Sequence, residues 1–149
     1  NLHHKSVELI PDYAKSLVWQ KNYDQLKNQY NIAQQQYRML ELLDGQVQYL
    51  VTECALPQVL YYNENFADNI CDVAKTRLQI LEWHKQFNNV NLIVERSDKP
   101  YVHTGRFQDE EQAKAIDAGL RGVLRREGMP FTVVKPEIQA IHDFSATLL

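Results

Sequence analysis

Four short stretches rich in β-branched residues alternate along the chain with longer stretches of helical periodicity. The predicted strands, each four or five residues long, are residues 7–10, 47–51, 90–94 and 131–134. The predicted helices that follow them are residues 12–21, 24–43, 57–62, 68–87, 108–127 and 136–144. Strands that alternate with helices form parallel sheets, because each helix returns the chain to the same edge of the sheet. We therefore expect an α/β fold, a parallel sheet with helices on both faces.

The helices are predicted from apolar residues that recur every three or four positions. Residues 24–43 carry one such stripe, and the helix at residues 108–127 has three acidic residues in its first turn and arginines near its end. That charge order favours a helix because it complements the helix dipole. Pro11 is expected at the first helical position after the first strand, where its missing N–H has no partner to lose.

Length and composition limit what this chain can be. Its 149 residues are predicted to form a single α/β domain, residues 1–149. The net charge of −3 argues against a broadly basic nucleic-acid surface, and no apolar run is long enough to cross a membrane. Cys54 and Cys71 lack metal-ligand spacing, so we expect reduced thiols in a cytoplasmic protein.

Charged residues follow three of the predicted strands. Asp12, Glu53 and Arg96 stand at carboxyl ends, where parallel sheets bind ligands. A carboxylate there can hold Mg²⁺ or orient a hydroxyl, and an arginine can clamp a phosphate. The alternative is that each residue is simply a solvated strand end.

The segment at residues 97–107 is predicted to be a lid-like loop. It follows Arg96 and contains Lys99, Tyr101, Gly105 and Arg106 between a strand and a helix. A mobile basic loop can close over phosphates and exclude water. The alternative is an ordinary charged surface loop.

Several short motifs resemble a known family. The sequence IPDYAK at residues 10–15 is similar to the PEYAR motif that follows the second strand of nicotinamide-ribonucleotide-kinase-like P-loop kinases, a group of AAA-class nucleotide kinases common in bacteriophages. LVTE at residues 50–53 resembles a strand that ends in a Walker B-type acid. LIVER at residues 92–96, followed by Tyr101 and by GRF at residues 105–107, resembles the lid region.

The resemblance implies catalytic roles for four residues. Asp12 would orient or activate the acceptor hydroxyl, and Glu53 would act as the metal residue near Mg²⁺. Arg96 and Arg106 would stabilise charge on the phosphoryl group in transit.

The resemblance also implies which residues bind substrate and cofactor. Tyr13, Lys15 and Tyr101, together with Asp12, would contact the substrate. Lys99 and Arg106 would bind the phosphates of the cofactor ATP.

The chain departs from the family pattern at its start. It contains no G-x-x-x-x-G-K-[ST] phosphate loop, and the family's first strand, loop and helix would precede Val7. We expect a first βα unit of about 30 residues to be missing from this chain and present in a longer parent protein. Asp12 and Lys15 replace the family's Glu and Arg, and Cys54 stands where several nucleotide kinases have an Arg.

The sequence thus predicts an ATP- and Mg²⁺-dependent kinase that acts on a nucleoside, nucleotide or modified base. The alternative is a non-catalytic, kinase-like binding or inhibitory protein. Tyr23, Tyr30 and Tyr37, spaced by seven residues, indicate helix packing or a homo-oligomer through this helix. A kinase directed at modified bases in DNA is disfavoured by the acidic charge.

Overall fold

The computed structural model describes residues 4–106 and 108–149, so Phe107, the last residue of the predicted lid, lies outside the described residues. The strands in this part of the chain are β1 (Val7–Ile10), β2 (Tyr49–Thr52), β3 (Asn91–Val94) and β4 (Phe131–Val134). The helices are α1 (Tyr13–Trp19), α2 (Tyr23–Leu26), α3 (Gln29–Leu43), α4 (Leu56–Asn65), α5 (Val73–Lys85), α6 (Glu110–Arg126) and α7 (Ile138–Ala146). The predicted α/β class is confirmed.

The strands pair in parallel, as predicted, but within the described residues they form two separate sheets. β1 pairs with β2, with Ile10 opposite Thr52, and β3 pairs with β4, with Val94 opposite Val134. The single continuous sheet expected from the sequence is therefore replaced by two parallel pairs.

Strand β2 is not covered on both faces, although its apolar run at residues 49–51 is typical of a strand that is. The Val51 side chain is 50% exposed, although its neighbours in the strand are partly buried. A two-stranded sheet has no central strand, so each strand keeps one edge and part of one face open.

Asparagine and aspartate caps explain where the helices differ from the predicted ranges. The predicted helix at residues 24–43 is interrupted, because the Asn28 side chain accepts a hydrogen bond from the Asn31 N–H (2.9 Å) and starts α3 afresh. The predicted helix at residues 68–87 begins only after Asp72, which caps α5 in the same way. Asp12 caps α1, so Pro11 lies outside the helix and not at its first position.

The main core lies between α1, α3, α4 and α5, and it takes in part of the tyrosine stripe. The ring of Tyr37 stacks on that of Trp83 with 4.8 Å between the ring centroids, and Tyr30 contacts the same indole. Tyr23 is exposed. Oligomerisation through this helix stays a prediction, and the two inner tyrosines are explained by packing within the chain.

A fully buried glutamine in α3 joins the ends of β1 and β2. The Gln36 amide accepts a hydrogen bond from the Tyr13 N–H (3.2 Å) and donates to the Pro11 carbonyl (3.1 Å) and to the Thr52 hydroxyl (3.1 Å). Pro11 and Tyr13 flank Asp12, and Thr52 precedes Glu53. One side chain therefore fixes the backbone on both sides of Asp12 and next to Glu53.

None of the helices in the described part of the chain is long and apolar enough to cross a membrane.

Replacing Gln36 by Leu should lower the free energy of unfolding by about 3 kcal/mol, because the buried partners of the amide lose their hydrogen bonds. Urea denaturation measures the change. Gln35→Leu is the control, since the neighbouring Gln35 is half-buried and makes one long hydrogen bond to Asn31 (3.5 Å). Equal effects of the two substitutions would show that Gln36 does not hold the strand ends.

Candidate functional site

A cavity of about 280 Å³ lies where three strands end. Asp12 after β1, Glu53 after β2 and Arg96 after β3 all line it. The carboxyl ends of both sheets therefore open onto the same space, which is where parallel α/β structures bind ligands.

Six of the eight predicted site residues line this cavity: Asp12, Lys15, Glu53, Arg96, Tyr101 and Arg106. The structure does not bring the other two there. Tyr13 packs against the hydrophobic core, and Lys99 borders a separate, open groove together with Lys135.

Asp12 is held at the cavity by its role as a helix cap. One of its carboxylate oxygens accepts a hydrogen bond from the Lys15 N–H (3.0 Å) at the start of α1. Asp12 is half-buried and Glu53 is exposed, so the carboxylates that follow β1 and β2 lie at different depths of the cavity.

The polar groups around Asp12 are protonated donors at neutral pH. Burial raises the pKa of the Cys54 thiol well above its ordinary value, and the charge of Asp12 and a hydrogen bond to it raise it further. Burial also raises the pKa of Tyr62 to about 12, with further increases from Cys54 and Asp12. Cys54 is therefore a neutral thiol rather than a nucleophile, because the thiolate is the reactive form.

The two arginines of the site are positioned by partners within the chain. The Arg96 Nε lies 2.5 Å from the Asp117 carboxylate of α6, and both residues line the cavity. The Arg106 guanidinium lies 5.0 Å from the centre of the Tyr101 ring, whose hydroxyl donates to the Gln108 carbonyl (2.7 Å). A cation on an aromatic face keeps its hydrogen-bond donors for another partner.

The described part of the lid-like loop rests on α1. The Gly105 backbone has a φ of +74° and packs so closely on Trp19 that an added Cβ would lie 2.5 Å from the indole Cζ2. Only glycine fits both this conformation and this contact. The contact thereby fixes the loop against α1 at Gly105, which itself lines the cavity.

Sequence reasoning missed several cavity residues, and helix spacing could have found some of them. Gln58, Tyr62 and Phe66 recur every four positions along α4 and at its end, which places them on one helix face toward the cavity. Asp117 and Gln29 also line it, and no local pattern in the sequence marks either residue.

The described residues of the cavity could bind Mg²⁺ only together with ligands from the substrate and from water. Among residues 4–106 and 108–149 no group of three metal-binding side chains comes together. Proteins commonly bind Mg²⁺ through one or two carboxylates together with substrate phosphates and water. Asp12 and Glu53 both line the cavity and are the residues that would hold Mg²⁺ in this way.

Comparisons of the chain with family models, curated proteins and solved structures gave no match. The resemblance to P-loop kinases therefore rests on the motifs and not on an alignment.

Gly105→Ala should release the loop from Trp19 and speed amide hydrogen exchange in the loop at residues 97–106, as measured by mass spectrometry. Gly128→Ala is the matched control. Gly128 has a similar φ of +67°, but no described atom lies within 4 Å of its added Cβ, so it carries the backbone strain without the clash. Equal exchange in the loop of both variants would show that the Trp19 contact does not hold it.

Proposed function

We propose that this chain is part of an ATP- and Mg²⁺-dependent phosphotransferase that acts on a nucleoside, nucleotide or modified base. The observation that carries the proposal is the meeting of Asp12, Glu53 and Arg96 at one cavity, beside Lys15 and Arg106. Carboxylates that position a nucleophile and a metal ion, next to cations that take up phosphoryl charge, are what phosphoryl transfer requires.

Each residue has a role that follows from its place. Asp12, held rigidly as a helix cap, orients the acceptor hydroxyl and accepts its proton. Glu53 at the mouth would hold Mg²⁺, and the ion would offset the phosphate charge. Arg96 and Arg106 reach the phosphoryl oxygens, Arg96 from a fixed strand end and Arg106 from the loop.

The phosphate cradle for ATP comes, in this proposal, from a further βα unit of a longer parent protein. The chain has no glycine-rich phosphate loop of its own. The two parallel pairs leave Val51 50% and Val94 46% exposed. A further βα unit could pair its strand with the open edge of each sheet and join them, while its helix covered exposed side chains on a face of the sheet, which supports this interpretation.

A second candidate function is a non-catalytic binding or inhibitory protein of similar fold. Helix α7 favours it, because none of its residues is buried and Ile138 is 89% exposed. In this second proposal the exposed apolar residues of α7 form the contact with a partner. Phosphoryl transfer by a form that carries a phosphate loop would exclude this second function as the main one.

In a form of the protein that carries a phosphate loop, Arg106→Ala should lower turnover at least about tenfold, because a charge-assisted hydrogen bond contributes roughly 1.5–3 kcal/mol. Arg125→Ala is the matched control, since the Arg125 guanidinium also lies over an aromatic ring, that of Phe131 (5.6 Å), but outside the cavity. Unchanged turnover in Arg106→Ala would show that the loop does not contribute to catalysis through Arg106.

The chain as it stands can be tested for the anion site alone. Asp117→Asn should raise its affinity for inorganic pyrophosphate about fivefold, because Arg96 is released from an exposed ion pair worth up to about 1 kcal/mol. Glu110→Gln is the control, since it breaks the Glu110–Lys114 pair elsewhere on α6. Titration calorimetry at fixed ionic strength measures both, and no gain in Asp117→Asn would place the anion away from Arg96.

A further inference from the structure

Helix α4 presents two polar side chains to the cavity. Gln58 and Tyr62 are four residues apart on the helix, so they lie on the same face, and both are half-buried and line the cavity. Gln58 forms a hydrogen bond with the Tyr62 hydroxyl. The Tyr62 ring also makes an edge contact with the ring of Tyr61, with 5.6 Å between the ring centroids. Two neighbours on its own helix therefore hold Tyr62 at the cavity.

The Tyr62 hydroxyl is a hydrogen-bond donor at neutral pH. Burial raises its pKa to about 12, with further increases from Cys54 and Asp12, whereas the hydrogen bond with Gln58 lowers it. A hydrogen bond that lowers the pKa stabilises the phenolate, so the Gln58 amide donates to the phenol oxygen. The hydroxyl proton is therefore not used by Gln58 and can be donated to a ligand.

Asp12 provides the complementary group in the same cavity. Its carboxylate accepts hydrogen bonds from the Lys15 N–H (3.0 Å) and from the Cys54 thiol. A carboxylate has about four acceptor positions, so these two bonds leave capacity for a ligand. Besides burial and Cys54, the charge of Asp12 raises the pKa of Tyr62, which places the two groups within electrostatic range of each other. A charged acceptor and a neutral donor thus face one ligand space.

A hydroxyl group matches this pair, because it can donate its proton to Asp12 while its oxygen accepts a hydrogen bond from Tyr62. An ionised phosphate or carboxylate oxygen does not match, since it has no proton to donate and the charge of Asp12 repels it. We propose that Tyr62 is a specificity-determining residue that donates a hydrogen bond to the substrate hydroxyl that Asp12 orients. The inference rests on the proposed phosphotransferase function, in which Asp12 binds the acceptor hydroxyl.

The test compares nucleosides with their deoxy analogues on this chain by titration calorimetry. The probes are adenosine, guanosine, cytidine and uridine, each with its 2′-, 3′- and 5′-deoxy forms. At least one ribonucleoside should bind at least about tenfold more tightly than one of its deoxy forms, because removal of that hydroxyl leaves both Asp12 and Tyr62 without their ligand partner.

Tyr62→Phe removes the protein hydroxyl and keeps the ring. It should weaken binding of that ribonucleoside about fivefold, because one neutral hydrogen bond is lost. The affinity for the matching deoxy form should stay unchanged, because that ligand makes no such bond. Tyr61→Phe is the matched control: it removes the neighbouring hydroxyl from the same helix, and Tyr61 does not line the cavity.

Circular dichroism checks that both variants fold. If Tyr62→Phe does not fold, Gln58→Met is the second variant. It should reduce the same preference for the hydroxyl, because the phenol oxygen loses the amide that orients it.

The outcomes separate this inference from the proposed function. Equal losses for the ribonucleoside and its deoxy form in Tyr62→Phe, no loss in either, or an equal loss in Tyr61→Phe overturns the inference, and so does a lack of binding by every nucleoside. Phosphoryl transfer by a form that carries a phosphate loop tests the proposed function separately. If the preference depends on Tyr62 but that form transfers no phosphoryl group, the hydroxyl site stands and the proposed function fails.

Discussion

The amide of Gln36 is the interaction on which the arrangement of the strand ends depends. It bonds to the chain on both sides of Asp12 and to Thr52 just before Glu53. Two carboxylates from different strands are thus positioned by one side chain that has no access to solvent or ligand. All hydrogen-bonding atoms of a buried amide need partners at the same time. Few backbone arrangements around Gln36 meet this requirement.

Some charged residues of the site are held by helices, whereas another belongs to a loop. Asp12 and Arg96 are each tied to a helix, by the cap of α1 and by Asp117 of α6. Arg106 belongs to a loop and is supported by the Tyr101 ring. In the proposed phosphotransferase, the fixed residues would orient the reactants and the loop would cover them and exclude water.

The sequence predicted the strands closely, because short β-branched runs between charged and turn residues leave little choice. It also placed Asp12, Glu53 and Arg96 at one edge, since parallel strands share their carboxyl ends. It did not predict the break before α3, which depends on the Asn28 side chain capping the helix, nor the position of Gln29 in the cavity wall, which depends on distant residues. The division into two sheets depends on which strand edges meet, and hydrophobic pattern alone does not encode that.

Because Gly105 packs on Trp19, the residues that are possible at one of these two positions depend on the residue at the other. A residue with a side chain at position 105 would need both a smaller partner at position 19 and a different turn. Tyr101 and Arg106 are restricted by their own contacts, whereas the described residues 97–100 and 102–104 have no such contact with α1 and are freer to vary. Relatives of this chain should therefore differ most at residues 97–100 and 102–104, while glycine and the indole are retained or lost together.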